Sequence, residues 1–74
     1  MRFIREKVVN LRKENGWSQG DLQRLLHEKT GVWVTRTAIA MWENGSVTYP
    51  RAIYVAAMAR VFNVPMELFF SDET

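Results

Sequence analysis

Cysteine is absent from this sequence of 74 residues, which excludes disulfide bonds and thiolate metal sites. His27 is the only histidine, and only Glu28 and Asp21 stand near it as further metal ligands, so we expect no metal site. Paired catalytic carboxylates and a glycine-rich phosphate-binding loop are also missing. We therefore expect neither an enzyme nor a bound cofactor.

Long apolar runs are missing as well. The apolar stretches fall far short of the ~20 residues that span a membrane, and residues 1–5 lack the apolar region of a signal peptide. We therefore expect a cytoplasmic protein without membrane contact. A chain this short forms one domain, residues 1–74, with a core at about residues 3–70 and a short acidic tail at 71–74.

Charge is unevenly distributed along the chain. The formal net charge is +2, and nine of the ten Lys and Arg lie in residues 1–51, whereas only acidic charges follow Arg60. A basic front and an acidic rear are typical of a protein with one end facing phosphate groups. A solvated surface of mixed charge would give the same pattern, so charge alone leaves both interpretations open.

A short helix is predicted between Thr35, a good N-cap, and Asn44-Gly45, a left-handed stop. Val34 and Ile39 stand at the positions of a hydrophobic staple. At about 100° per residue, two faces separate. The apolar face carries Ala38, Ile39 and Trp42, and the opposite face carries Arg36, Thr37, Ala40, Met41 and Asn44. Because the second face is small and mostly uncharged, it suits a helix inserted into a groove.

Helical spacing of apolar residues predicts four further helices. Helix one covers Phe3 to Asn15 and ends at Gly16, and helix two covers Gln19 to Thr30, with Ser18 and Asp21 as a capping box. Helix four is predicted from Pro50 to about Phe62, with inward residues Ile53, Ala56, Ala57 and Phe62. A last short helix begins at Pro65 and holds Met66, Leu68, Phe69 and Phe70.

Two apolar segments have an uncertain place in this scheme. Residues 29–34 are expected to form an extended connection in which Val34 is buried, and Trp33 either covers the edge of the core or meets a partner. We favour packing, because burial of an indole ring removes a large apolar area from water. The last helix is too short to bury all its apolar residues, so Leu68 and Phe70 are expected to form an exposed patch and a homodimer interface.

From about Leu11 to Phe69 the chain resembles the Cro and phage-repressor family of helix-turn-helix DNA-binding domains, also called the XRE family. The segments that carry the resemblance are, in order, Leu11-Arg12, Trp17-Ser-Gln-Gly-Asp-Leu22, Val34 to Gly45, Tyr49-Pro50, Ala59-Arg-Val-Phe-Asn-Val64 and Leu68-Phe69. The resemblance implies an all-α, five-helix, lambda-repressor-like fold. Helices two and three would form the helix-turn-helix, and helix three would enter the major groove of double-stranded DNA.

Carried over position by position, the resemblance implies three sets of residues. Base contacts would come from Arg36, Thr37, Ala40 and Met41, of which Met41 departs from the polar residue often found there. Contacts to the DNA backbone would come from Ser18, Gln19, Thr35, Asn44, Ser46, Thr48 and Arg51. Arg12 and Glu43 would form a structural ion pair between helix one and helix three.

Two features depart from the family pattern. Gln23 replaces the usual small residue after the leucine of helix two, and the connection before Val34 is about six residues longer than the usual tight turn. The longer helix two or connection could shift the recognition helix or place Trp33 and Lys29 near the DNA backbone.

The leading hypothesis is a small dimeric repressor that binds a near-palindromic operator through helix three and associates with the nucleoid when bound to DNA. A second hypothesis is a protein-interaction module, such as an antitoxin or a partner-binding regulator, that uses the C-terminal apolar patch and binds DNA weakly.

Overall fold

Four α-helices, one 3-10 helix and a two-stranded sheet make up the computed structural model, which describes residues 1–72. In chain order the elements are β1 (Arg2–Phe3), α1 (Arg5–Glu14), α2 (Gln19–Thr30), α3 (Arg36–Asn44), α4 (Ala52–Phe62), the 3-10 helix (Met66–Phe69) and β2 (Phe70–Ser71). The predicted all-α class fits this mostly helical chain. The predicted fifth α-helix is replaced by the 3-10 helix and β2.

The ends of α2 and α3 lie where their capping residues predict them. Ser18 and Asp21 form the predicted capping box, in which the hydroxyl accepts an N–H at 3.0 Å and the carboxylate accepts one at 2.9 Å. The Thr35 hydroxyl accepts an N–H of α3 at 3.0 Å. Gly31 and Gly45 follow the two helices with φ of 74° and 87°. These left-handed conformations suit glycine, which has no Cβ, and both stops are confirmed.

The core is formed by side chains from every helix. Val8, Leu22, Ile39, Val55, Met58 and Phe69 each have 0% of their surface exposed. Helix α3 contributes Ile39 and Trp42, the latter 3% exposed. Full burial of such a side chain stabilises the fold by about 1.5–3 kcal/mol, so these two residues hold α3 firmly on the other helices.

Helix α1 is shorter than predicted because the two ends of the chain pair with each other. Phe3 lies opposite Phe70 in the antiparallel sheet, and the Ile4 N–H donates to the Phe69 carbonyl at 2.7 Å. Ser71, the first residue of the predicted acidic tail at 71–74, belongs to β2. The last two residues of that tail, Glu73 and Thr74, lie outside the described residues.

Helix α4 differs from the prediction at its start and in its buried face. It begins at Ala52, because the backbone of Arg51 is still extended, with ψ of 147°. Pro50, which was predicted to begin the helix, is buried. Ile53, predicted to point inward, is 58% exposed, and Ala56 is exposed as well. The buried residues are Val55, Ala57, Met58, Ala59, Val61 and Phe62. Arg60 is the only charged residue of this helix, so its apolar sequence does not by itself define which side is buried.

The predicted C-terminal patch is smaller in the structure than in the prediction. Leu68 and Phe70 are both half-buried, and the Phe70 ring lies 5.9 Å from Phe3 and 6.5 Å from Tyr49 between ring centroids. Within residues 1–72 the large apolar side chains that are exposed lie elsewhere, at Met1, Trp33, Met41, Tyr49 and Ile53.

Candidate nucleic-acid interface

The outer face of α3 is free, as its sequence pattern predicts. Arg36, Thr37 and Asn44 are exposed, Met41 is 38% exposed, and Ala40 is partly exposed. The side chains that anchor the helix lie on its opposite face. A rigid helix that presents small and mostly uncharged side chains can enter a groove, because its backbone can approach the groove floor closely.

Arg36 extends from the first turn of α3 across the first turn of α2. A Cβ placed on Gly20 would lie 3.7 Å from the Arg36 Nε atom and 3.9 Å from its Cδ atom, so this side chain lies within van der Waals distance of α2 at Gly20. Among residues 1–72, Arg36 has neither an acidic partner nor a hydrogen-bond acceptor. Its guanidinium group is therefore available for an external acceptor.

Gln19, at the start of α2, is less free than the sequence indicates. Its side chain is half-buried, and its Nε2 atom donates to the Glu43 Oε1 atom at 3.0 Å. The amide still holds a second N–H, and the first N–H groups of a helix have no intrahelical acceptor. The helix dipole also places partial positive charge at this end of α2, which attracts an anion. This turn can therefore bind a phosphate oxygen through backbone and side-chain donors.

Arg12 and Glu43 form a two-pronged ion pair between α1 and α3. Arg12 donates from Nε to Glu43 Oε2 at 2.8 Å and from Nη2 to Oε1 at 3.0 Å, and the two side chains are 13% and 8% exposed. Arg12 also donates from Nη1 to the Trp17 carbonyl at 2.9 Å. Together with Gln19, the pair connects α1, the start of α2 and the end of α3. The relative placement of α2 and α3 depends on this network.

The ionisation of Glu43 is set by opposing effects. Burial raises the pKa of its carboxyl, but the hydrogen bonds from Arg12 and Gln19, with the nearby charges of Arg12 and Lys13, outweigh burial and leave the pKa below its ordinary value. The hydrogen bond to Glu43 raises the pKa of the Arg12 guanidinium. Both groups are therefore charged at neutral pH.

We expect the protein to lose stability in acid partly through Glu43. Because the pKa of this carboxyl is lower in the folded than in the unfolded chain, its contribution is complete above the ordinary value of 4.5 and is lost as the pH falls through the lower, folded value. Urea unfolding between pH 7 and pH 3 measures the loss. Glu43→Gln, which cannot ionise, should show a flatter decline below pH 4.5, and an unchanged decline would contradict the assignment.

The segment after α3 brings together exposed polar side chains and an arginine from another helix. The Asn44 Oδ1 atom accepts the Ser46 N–H at 2.8 Å, and Ser46, Thr48 and Arg51 are exposed. Arg5, which the sequence pattern did not single out, donates from Nη1 to the Glu43 carbonyl at 3.1 Å. This carbonyl lies at the C-terminal end of α3, where the helix dipole favours a positive charge. No local signal indicates this contact, since Arg5 and Glu43 are 38 residues apart.

Helix α2 and its connection to α3 accommodate the two departures from the family pattern. The extra residues are divided between a long α2, which has 12 residues, and a connection at residues 31–35 that is only slightly longer than a tight turn of 3–4 residues. Gln23, in place of a small residue, donates from Nε2 to the Val34 carbonyl at 3.0 Å. Gln23 therefore holds the connection between α2 and α3 in place, so the two departures from the family pattern are in direct contact.

Trp33 does not pack into the core, and that prediction was wrong. The side chain is 68% exposed, and its ring stacks on His27 with 3.9 Å between ring centroids. Val34, the next residue, is 7% exposed and occupies the core position instead. Since neighbouring residues of an extended segment point to opposite sides, burial of Val34 turns Trp33 outward.

Neither a metal-binding cluster nor a membrane-spanning helix occurs within residues 1–72. In this part of the chain no group of three or more His, Asp or Glu side chains could hold a metal ion. None of the described helices has the length and apolar composition that a membrane span requires.

The comparisons with known proteins agree with the geometry. A family model described as helix-turn-helix matches residues 9–69, which includes α2, α3 and the core that supports them. No curated protein and no solved structure matches the chain. The matching family, that of Cro and the phage repressors, comprises DNA-binding domains that are generally non-enzymatic. The chain therefore belongs to the helix-turn-helix family of the Cro and phage-repressor (XRE) type and is a DNA-binding regulator.

Proposed function

We propose that the protein is a sequence-specific repressor that binds a near-palindromic operator in double-stranded DNA as a homodimer. One observation carries the proposal: Arg36, at the start of a firmly packed, outward-facing α3, has no acidic partner within residues 1–72. Residues 1–74, with a core at about residues 3–70, would form the single DNA-binding domain. Because the proposed partner is DNA, the protein would lie in the cytoplasm and associate with the nucleoid.

Base readout would come from the outer face of α3. The Arg36 guanidinium group can donate to both O6 and N7 of a guanine in the major groove. Thr37 can exchange a hydrogen bond with a base edge or contact a thymine methyl group, and Met41 can make only an apolar contact of that kind. Ala40 is small enough to let the helix approach the bases. One strong polar contact surrounded by weaker ones would then define the operator.

Contacts to phosphate groups would come from both sides of α3. Gln19 and the first turn of α2 lie on one side, and the exposed segment after α3 lies on the other. Such contacts hold a protein in register on the duplex without reading sequence. The proposed residues are Ser18, Gln19, Thr35, Asn44, Ser46, Thr48 and Arg51, all exposed except the half-buried Gln19.

The homodimer would form around Leu68 and Phe70. Both residues are half-buried, and Phe70 stacks against Tyr49, which is 52% exposed. A second copy placed on these side chains would remove their remaining apolar surface from water. Two-fold symmetry would then place two copies of α3 about one turn of DNA apart, roughly 34 Å, and require a near-palindromic site.

Selection from a random pool of double-stranded DNA tests this proposal. We expect enrichment of a near-palindrome by the wild-type protein, with an affinity that falls steeply between two salt concentrations because phosphate contacts release counterions. Light scattering at micromolar concentration, alone and with the selected DNA, should show a dimer on the operator. A monomer in both samples would contradict the dimer. Absence of enrichment and of salt-dependent binding would contradict DNA readout and favour a protein partner.

A further inference from the structure

Trp33 is much more exposed than tryptophan side chains are on average. At 68% exposure it is the most exposed large apolar side chain in residues 1–72. An indole ring gains more from burial than most side chains do, and tryptophan is enriched at interfaces, so an exposed indole is a candidate contact for another molecule. The position of Trp33 beside α2 indicates which molecule that is.

Trp33 and Arg36 lie over the same face of α2. Arg36 lies over Gly20, near the start of the helix, and Trp33 stacks on His27, near its end. At 3.6 residues per turn, Gly20, Arg24 and His27 fall within about 60° of one another around the helix axis. The outer surface of α2 therefore continues from the base-reading arginine to the exposed indole.

The position of Trp33 is defined by the connection that carries it. Gly31 begins the connection in a left-handed conformation with φ of 74°, and the Thr30 hydroxyl accepts the Val32 N–H at 3.2 Å. The Gln23 side chain holds the Val34 carbonyl, one residue beyond Trp33, at 3.0 Å. His27 covers one face of the indole and leaves the other accessible. Little ordering is then required when a partner binds.

The unpaired charge on this surface favours a negatively charged partner. Asp21 and Glu28 are both paired with Arg24, at 3.8 Å and 3.2 Å. Arg36 is exposed and has no acidic partner among the described residues. The charge that remains available on this surface is therefore positive.

We propose that Trp33 contacts the sugar-phosphate backbone of DNA beside the base pairs read by α3. This inference rests on the proposed function and adds a flanking contact to it. The indole can place its ring on deoxyribose carbons and donate its N–H to a phosphate oxygen. Because the backbone is the same at every sequence, the contact adds affinity without base preference.

Trp33→Ala, measured on the selected operator and on unrelated DNA of equal length, tests the inference. Loss of one such contact should weaken binding to both DNAs by a similar factor, about five- to tenfold. Hydroxyl-radical footprinting should show reduced protection at the edge of the site. The matched control is Ile53→Ala, an apolar residue of comparable exposure, 58%, on α4, which should leave both affinities unchanged. Thermal unfolding followed by circular dichroism verifies that both variants are folded.

Three results would overturn the inference. Wild-type affinity for both DNAs in folded Trp33→Ala would remove Trp33 from the DNA interface. A loss confined to the operator would indicate base readout instead of backbone contact. A weaker dimer in light scattering, with unchanged DNA binding per dimer, would assign the surface to a second copy of the chain. The wild-type protein in the same assay separates these results from failure of the proposed function, which would appear as no DNA binding at all.

Discussion

Glu43→Ala is expected to lower the free energy of unfolding by about 3 to 5 kcal/mol. The substitution removes both carboxylate oxygens that accept from Arg12 and leaves its guanidinium group, whose side chain is 13% exposed, without a counter-charge. The Gln19 amide loses its acceptor as well. A domain of this size is stable by only ~4–11 kcal/mol at 0.05–0.15 kcal/mol per residue, so the variant would approach the limit of stability.

Urea unfolding at neutral pH measures this effect, and a second ion pair provides the control. Glu28 pairs with Arg24 at a similar distance of 3.2 Å, but its side chain is 53% exposed. Glu28→Ala should therefore cost no more than about 0.5 kcal/mol. The double variant Arg12→Met with Glu43→Ala should cost less than the sum of the single variants, since no unpaired charge remains. Equal effects of Glu43→Ala and Glu28→Ala would show that the Arg12 network does not hold the helices together.

Arg36→Ala is expected to abolish discrimination at one base pair of each half-site, with a loss of about 1 to 3 kcal/mol. The guanidinium group is unpaired in residues 1–72, so it can donate to a guanine without first breaking an ion pair or a hydrogen bond in this part of the chain. Because the residue is exposed, the free energy of unfolding should change by no more than about 0.5 kcal/mol. The expected change is therefore specific to DNA recognition.

Affinities for the selected operator and for its single-base variants measure the loss. Arg51→Ala is the matched control, because it removes an exposed arginine that is proposed to contact the DNA backbone. This control should weaken binding to all sequences alike and reduce the salt slope by about 1. Retention of every base preference by Arg36→Ala would move sequence recognition away from this residue.

The ends of α2 and α3 were predicted well because capping is a local interaction. Ser18 with Asp21 and Thr35 each satisfy N–H groups within three residues, and Gly31 and Gly45 adopt a backbone conformation that depends mainly on the residue itself. The exposed and buried faces of α3 could also be predicted from the sequence, since polar and apolar residues alternate at helical spacing. The start of α1 could not be predicted, because the pairing of Phe3 with Phe70 joins opposite ends of the chain.

Residues whose environment depends on other helices were predicted less well. Ile53 was assigned to the core and is 58% exposed, because α4 is apolar on several sides and packing selects the buried one. Trp33 was expected to pack and instead stands outside, since the neighbouring Val34 fills the core position. Gln23 and Arg5 donate hydrogen bonds to carbonyl groups that lie 11 and 38 residues away in the chain. Their contacts could not be predicted from local sequence for that reason.

The sequence by itself determined the ends of α2 and α3, the outward face of α3 and membership of the helix-turn-helix family. These features depend on local hydrogen bonding, on helical periodicity and on the order of short motifs. Only the tertiary structure decided that Arg36 lies across α2 at Gly20, that Gln19 joins the Arg12 and Glu43 network, and that Trp33 extends the same surface. The reason is physical: each of these contacts joins side chains from different elements, and their distances exist only once the core has fixed the helices against one another.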